Sequence, residues 1–111
     1  MERLFVYGTL APGRTNHHVL EGLGGSWQQG YVKGHLVQAG WGAAHGCPGL
    51  KLDPNGERID GFVLTSTLLN DFWPELDDFE GEEYERQQTV AELASGGTTT
   101  VWVYALSDEL A

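Results

Sequence analysis

Apolar residues along the chain fall into short alternating or continuous runs separated by glycine, proline and polar turns. One stretch has helical spacing instead. Residues 3–7 (RLFVY) are continuous, apolar and partly β-branched or aromatic, which predicts a short buried first strand. The following APGRTN reads as a turn. Asn16 is placed to cap a short helix over HHVLEG that Gly22 would end. Residues 25–40 (GSWQQGYVKGHLVQAG) spread Trp27, Tyr31, Val32, Leu36 and Val37 between glycines and predict one or two bent strands. GWGAAHGCPG (40–49) is too glycine-rich for regular structure and reads as a loop. LKLD and RIDGFVLT flank PNGE, which predicts a β-hairpin.

The helical stretch is TSTLLNDFWPELDDFEG (65–81). Leu68, Leu69, Phe72, Leu76 and Phe79 recur at spacings of three and four, so one face is apolar. Ser66 or Thr67 can cap its start. Pro74 predicts either two short helices or a kinked one. Gly81 stands where a helix-ending glycine belongs. YERQQTVAEL and TTTVWVYAL then alternate around ASGG as two antiparallel strands. There is no internal repeat or linker. The order predicts one α+β domain over residues 1–111: a small, mostly antiparallel sheet, open or closed into a barrel, with flanking short helices.

Composition narrows the classes of function. At 111 residues, 41% hydrophobic and 20% charged, the chain can build a core and reads as a soluble globular protein. No apolar run is long enough to span a membrane. No basic region followed by an apolar stretch marks a signal peptide. The one cysteine, Cys47, excludes an internal disulfide, and together these features predict a cytoplasmic protein. The formal net charge is −10, with six lysines and arginines that form no basic stripe. Nucleic acid and anionic membrane surfaces are therefore not expected partners. A small molecule or a basic protein remains open, and the oligomeric state is not readable.

Two stretches carry candidate chemistry. In Tyr7-Gly8-Thr9-Leu10, a glycine at a strand end either forms a bulge or marks a close approach to the backbone, where successive N–H groups can face an anion. The nucleotide-binding glycine patterns are absent. In LDDFEGEEYERQ (76–87), Asp77, Asp78, Glu80, Glu82, Glu83 and Glu85 crowd a helix C-terminus, where the macrodipole disfavours negative charge. Either this is a solvated acidic turn, or a carboxylate here has a raised pKa suited to general base work. Glu80, directly before Gly81, should feel the helix end most. His17-His18 and His45-Gly46-Cys47 lack zinc spacing. There is no G-x-S-x-G elbow, and Cys47 has no activating signature. Trp27, Trp73 and Trp102 read as core. Trp41, in the glycine loop, is the tryptophan placed to line a pocket.

FVYGTL (5–10) and LDDFEGEEYER (76–86) together resemble the γ-glutamylcyclotransferase-like (AIG2-like) family. GCPGL (46–50), DGFVL (60–64) and VWVYAL (101–106) extend the resemblance over nearly the whole chain. It implies a small mixed barrel with flanking helices, and a cavity lined by backbone amides of the Y-G-[ST]-L stretch that holds a carboxylate-bearing substrate. Carried over residue by residue, Tyr7, Gly8, Thr9 and Leu10 would contact substrate. Glu80 would be the catalytic acid/base, with Glu82 and Glu83 as alternatives. Tyr84 and Arg86 would form pocket wall or structure. The implied reaction converts a γ-glutamyl amine or peptide to 5-oxoproline and a free amine, without cofactor or metal. The alternatives are a non-catalytic module that binds a carboxylate metabolite in the same cavity, and a protein-interaction domain that uses the acidic face.

Overall fold

The structure, a computed structural model, describes residues 2–8, 12–13, 17–38 and 49–107. Six strands and two helices follow one another: β1 (Glu2–Val6), α1 (His18–Glu21), β2 (Ser26–Val37), β3 (Gly49–Leu52), β4 (Glu57–Ser66), α2 (Leu69–Glu80), β5 (Tyr84–Leu93) and β6 (Thr98–Leu106). The sheet order is β3-β2-β4-β1-β6-β5, and β2 also pairs with β5. Five strands (β2, β4, β1, β6 and β5) thus close into a mixed barrel, and β3 is appended to β2. β1 and β6 run parallel, with Leu4 opposite Trp102. The other pairings are antiparallel. The pattern predicts the mostly antiparallel sheet with short helices, and the resemblance implies its closure into a small mixed barrel; both are present.

Closure happens where Gly30 and Tyr31 of β2 meet Leu93 and Glu92 of β5. A Cβ on Gly30 would lie 2.6 Å from the Glu92 carbonyl oxygen, so the seam needs a residue without a side chain. β1 is buried at three consecutive positions because it has a core on each side. Phe5 joins Val32, Leu50, Ile59, Val63, Ala91, Val101 and Val103 inside the barrel. Leu4 and Val6 face outward and join Leu64, Tyr104, Leu20, Leu23 and the α2 residues Leu69, Trp73 and Leu76. Strand alternation therefore feeds both cores from the same strands.

Several local expectations change. Of the one or two strands expected over 25–40 there is one, β2, of twelve residues. LKLD and RIDGFVLT are strands, but they do not form a hairpin with each other. Both pair with β2, on its opposite sides. The turn chemistry is real: Asn55 N–H donates to Asp53 Oδ1 at 2.9 Å, and Gly56 N–H to the Asp53 carbonyl at 2.9 Å. The turn instead packs against β2 at Gly34, where a Cβ on Gly56 would lie 2.6 Å from the Gly34 carbonyl oxygen. A long neighbouring strand outcompetes the local pairing that the turn alone suggests.

α2 runs without interruption through Pro74. Pro74 and Asn70, whose carbonyl would otherwise accept its N–H, are both exposed, so the missing bond lies on the solvent side. Leu68, not Ser66 or Thr67, is the N-cap residue. Ser66 still serves the helix start, because its Oγ accepts the Leu68 N–H at 3.1 Å and donates to the Leu23 carbonyl at 2.8 Å. The β5–β6 hairpin forms as predicted around Gly96 and Gly97, both with positive φ. Among the described residues, no helix is long and apolar enough to cross a membrane.

Candidate functional site

The buried residues of α2 are Leu69, Trp73 and Leu76. Their spacing of four and three places the next position of the same stripe at residue 80. Glu80 therefore ends the apolar face of the helix with a carboxylate. It is half-buried, and loss of hydration pushes its pKa from the ordinary 4.5 up to about 7. The shift expected from the helix end is thus present, but burial is its cause. Gly81 then stops the helix with φ +80°, and its N–H donates to the Asp77 carbonyl at 3.0 Å.

One turn before Glu80, Asp77 joins the helix to the barrel. Its Oδ1 accepts a 2.7 Å hydrogen bond from the Tyr104 hydroxyl. Its Oδ2 lies 3.4 Å from Nη2 of Arg86. The Arg86 guanidinium stands 4.5 Å from the centre of the Trp73 ring and 5.2 Å from that of Trp102, a cation–π clamp between helix and sheet. Arg86 and Tyr104 face each other across the β5–β6 ladder. The Tyr104 pKa is raised, first by burial, then by its bond to Asp77, and further by the charges of Asp77 and Glu80, while Arg86 opposes the shift.

Tyr104 also meets the N-terminal motif. Tyr7 follows β1, and its hydroxyl donates to the Tyr104 carbonyl at 2.7 Å and accepts the Leu50 N–H at 3.1 Å. The two motifs, more than sixty residues apart in sequence, thus converge on one tyrosine in β6. Gly8, directly after Tyr7, is a half-buried bend. Thr9, Leu10, Trp41, His45 and Cys47 lie outside the described residues. Tyr84 opens β5 opposite Leu106 and packs against the outer core. Glu82 is exposed, and Glu83 is half-buried with its carbonyl accepting the Ser107 N–H at 2.9 Å.

A cleft of about 740 Å³ opens beside the helix end, lined by Asp77, Asp78, Gly81, Glu82, Tyr84, Arg86 and Tyr104 among others. Tyr7 borders a second cleft of about 570 Å³, where the Arg58 guanidinium lies 4.3 Å from the Tyr31 ring centre. Among the described residues, no group of three or more histidine, cysteine, aspartate or glutamate side chains can hold a metal ion. Sequence reasoning missed Tyr104 and Asp77 as connecting groups. The available signal was a tyrosine in the strand VWVYAL, at a position whose alternation turns it towards the helix.

The family model for γ-glutamyl cyclotransferase, AIG2-like, matches residues 4–111. The chain belongs to this family. Its fold is similar to YkqA from Bacillus subtilis, with a TM-score of 0.73 and 29% identity, covering 96% of this chain and 36% of that one. It is similar to the mouse AIG2-like protein as well, with a TM-score of 0.69 and 29% identity over 99% of this chain and 82% of that one. This family member thus spans about a third of the Bacillus protein and most of the mouse protein. Kluyveromyces lactis allophanate hydrolase contains a similar fold (TM-score 0.59, 19% identity, 97% of this chain and 18% of that one). No functionally curated protein matches the sequence.

Proposed function

We propose that the protein is a γ-glutamyl cyclotransferase that converts a γ-glutamyl amine or peptide to 5-oxoproline and the free amine, with Glu80 as general base and acid. The observation that supports this most is Glu80 itself. It occupies the family motif, ends the buried stripe of α2, and has a pKa pushed up to about 7. A carboxyl group of that pKa both accepts and returns a proton near neutral pH.

A γ-glutamyl compound contains its own nucleophile. The α-amine attacks the γ-carbonyl, a C–N bond forms, and a five-membered tetrahedral intermediate results. Glu80 takes a proton from the attacking nitrogen and delivers one to the departing nitrogen. The original C–N bond then breaks and leaves the lactam. No enzyme nucleophile is consumed. The protein's task is to hold the substrate folded, an orientation effect worth up to several kcal/mol. In this reading the backbone amides at Gly8, Thr9 and Leu10 hold the substrate carboxylate or the developing oxyanion. Tyr7 braces that segment, and Tyr84 and Arg86 form the wall. Gly8→Val is then expected to weaken ligand binding more than stability, because it fills the space above the amides. Binding isotherms and denaturation curves of the variant check that ranking.

The test is to incubate the protein with γ-glutamyl amino acids, glutathione, ε-(γ-glutamyl)lysine and γ-glutamyl alkylamines and to separate 5-oxoproline from glutamate. Release of 5-oxoproline is expected and names the leaving group. Glutamate as the product would mean hydrolysis. Thermal stabilisation by these compounds with no product would make the protein a carboxylate-binding module.

A further inference from the structure

We infer that Tyr104 and Asp77 are positioning residues for Glu80, acting as a tie that holds the end of α2 against the barrel beside the Tyr7 segment. This inference rests on the cyclotransferase reading for its kinetic consequences, but the tie itself is visible in the structure. Tyr104 is 4% exposed, and both of its ends are engaged. Its carbonyl accepts the Tyr7 hydroxyl, and its own hydroxyl donates to Asp77 Oδ1, each at 2.7 Å. Asp77 lies one helical turn before Glu80, on the side of α2 that faces β5 and β6. The bond from Tyr104 therefore fixes the last turn of the helix, where a continuing apolar contact would otherwise be needed and where Glu80 replaces it.

The charged groups around the Tyr104 hydroxyl come from two elements: Asp77 and Glu80 from α2, and Arg86 from β5. Arg86 already has the faces of Trp73 and Trp102 as partners, so it keeps its place without Asp77. The tyrosine hydroxyl has no such substitute. Asp77 is exposed, with its side chain 47% accessible to solvent. Without the hydroxyl its remaining tether to the barrel is Arg86 at 3.4 Å, the final turn loosens, and the Glu80 carboxyl becomes better hydrated. Catalytic groups lose rate steeply when displaced by an ångström or so. The tie therefore acts on turnover through the geometry and hydration of Glu80.

Tyr104→Phe keeps the ring and the backbone carbonyl that accepts from Tyr7, and removes only the hydroxyl. It is expected to lower kcat by about tenfold to a hundredfold with little change in KM, and to move the acidic limb of the pH–rate profile down towards the ordinary glutamate range. Asp77→Ala should reproduce both effects. Asp77→Asn retains an acceptor for the tyrosine while giving up the charge that meets Arg86, and should restore most of the rate. Wild-type kcat and an unmoved pH limb in Tyr104→Phe would overturn the inference, as would an Asp77→Asn variant as slow as Asp77→Ala. If wild type turns over no γ-glutamyl compound, the cyclotransferase reading fails and the tie is still decided, by carboxyl-carbon NMR titration of Glu80. A lower Glu80 pKa in Tyr104→Phe supports the tie, and an identical value refutes it.

Discussion

A glutamate on the buried stripe of a helix is costly once it ionises, and that cost has a sign that experiment can read. Unfolded, Glu80 titrates near 4.5; folded, near 7. Between those values the folded protein holds a proton that the unfolded chain has released. Stability from this group is therefore complete below about pH 4.5, falls as pH rises, and has lost on the order of 3 kcal/mol above pH 7. Glu80→Gln has no proton to lose. The variant should match wild type near pH 4.5 and exceed its stability by about 2–3 kcal/mol at pH 8, as read by urea unfolding at the two pH values. Equal stability at both would mean that the carboxyl is hydrated. The same substitution that strengthens the fold should remove the chemistry, a trade-off expected where an active site carries a destabilising group. Glu80 was legible as the candidate from the sequence. The reason for its pKa was not, because the acidic run in LDDFEGEEYER suggests a helix-end effect. Burial appears only once residue 80 is seen to continue the series Leu69, Trp73, Leu76.

Elements were legible where their signal is local. The β5–β6 hairpin carries its own turn and alternation, and it forms in the expected place. The apolar spacing of α2 identifies a helix even with Pro74 inside it. PNGE misled because a turn sequence specifies a bend and not the partner of the strands it joins. β2, twelve residues long, pairs with both β3 and β4. The same strand makes the closing contact with β5, and nothing local to residues 30 or 93 announces it. Gly30→Ala tests that seam: the new methyl meets the Glu92 carbonyl, and unfolding should show a loss of about 1–3 kcal/mol. A neutral substitution would mean that β2 and β5 are not held closely there. Leu76→Ala should cost about 2–5 kcal/mol, because its side chain is fully buried between α2 and the barrel. In denaturation experiments it should also loosen the helix turn that carries Glu80.

At the scale of the whole molecule, a formal net charge of −10 on 111 residues makes self-repulsion a general term in stability. Raising sodium chloride from about 10 mM to about 500 mM should raise Tm by several degrees, as measured by calorimetry. An unchanged Tm would mean that local ion pairs dominate over the overall field. The fold class and the two motifs were readable from sequence because each is a compact pattern. Their meeting at Tyr104 was not, since it depends on β1 and β6, the first and last strands, lying side by side in parallel. That topology links Tyr7 to the end of α2 through Tyr104, whose carbonyl accepts from Tyr7 and whose hydroxyl donates to Asp77, although Tyr7 and Asp77 line separate clefts. The most direct test is 5-oxoproline release by wild type and Glu80→Gln, followed across pH with the substrate that the γ-glutamyl panel identifies. The account predicts a wild-type rate that rises through an acidic limb near pH 7 and a folded variant that makes no measurable lactam at any pH. A Glu80→Gln protein that forms 5-oxoproline at the wild-type rate would contradict it.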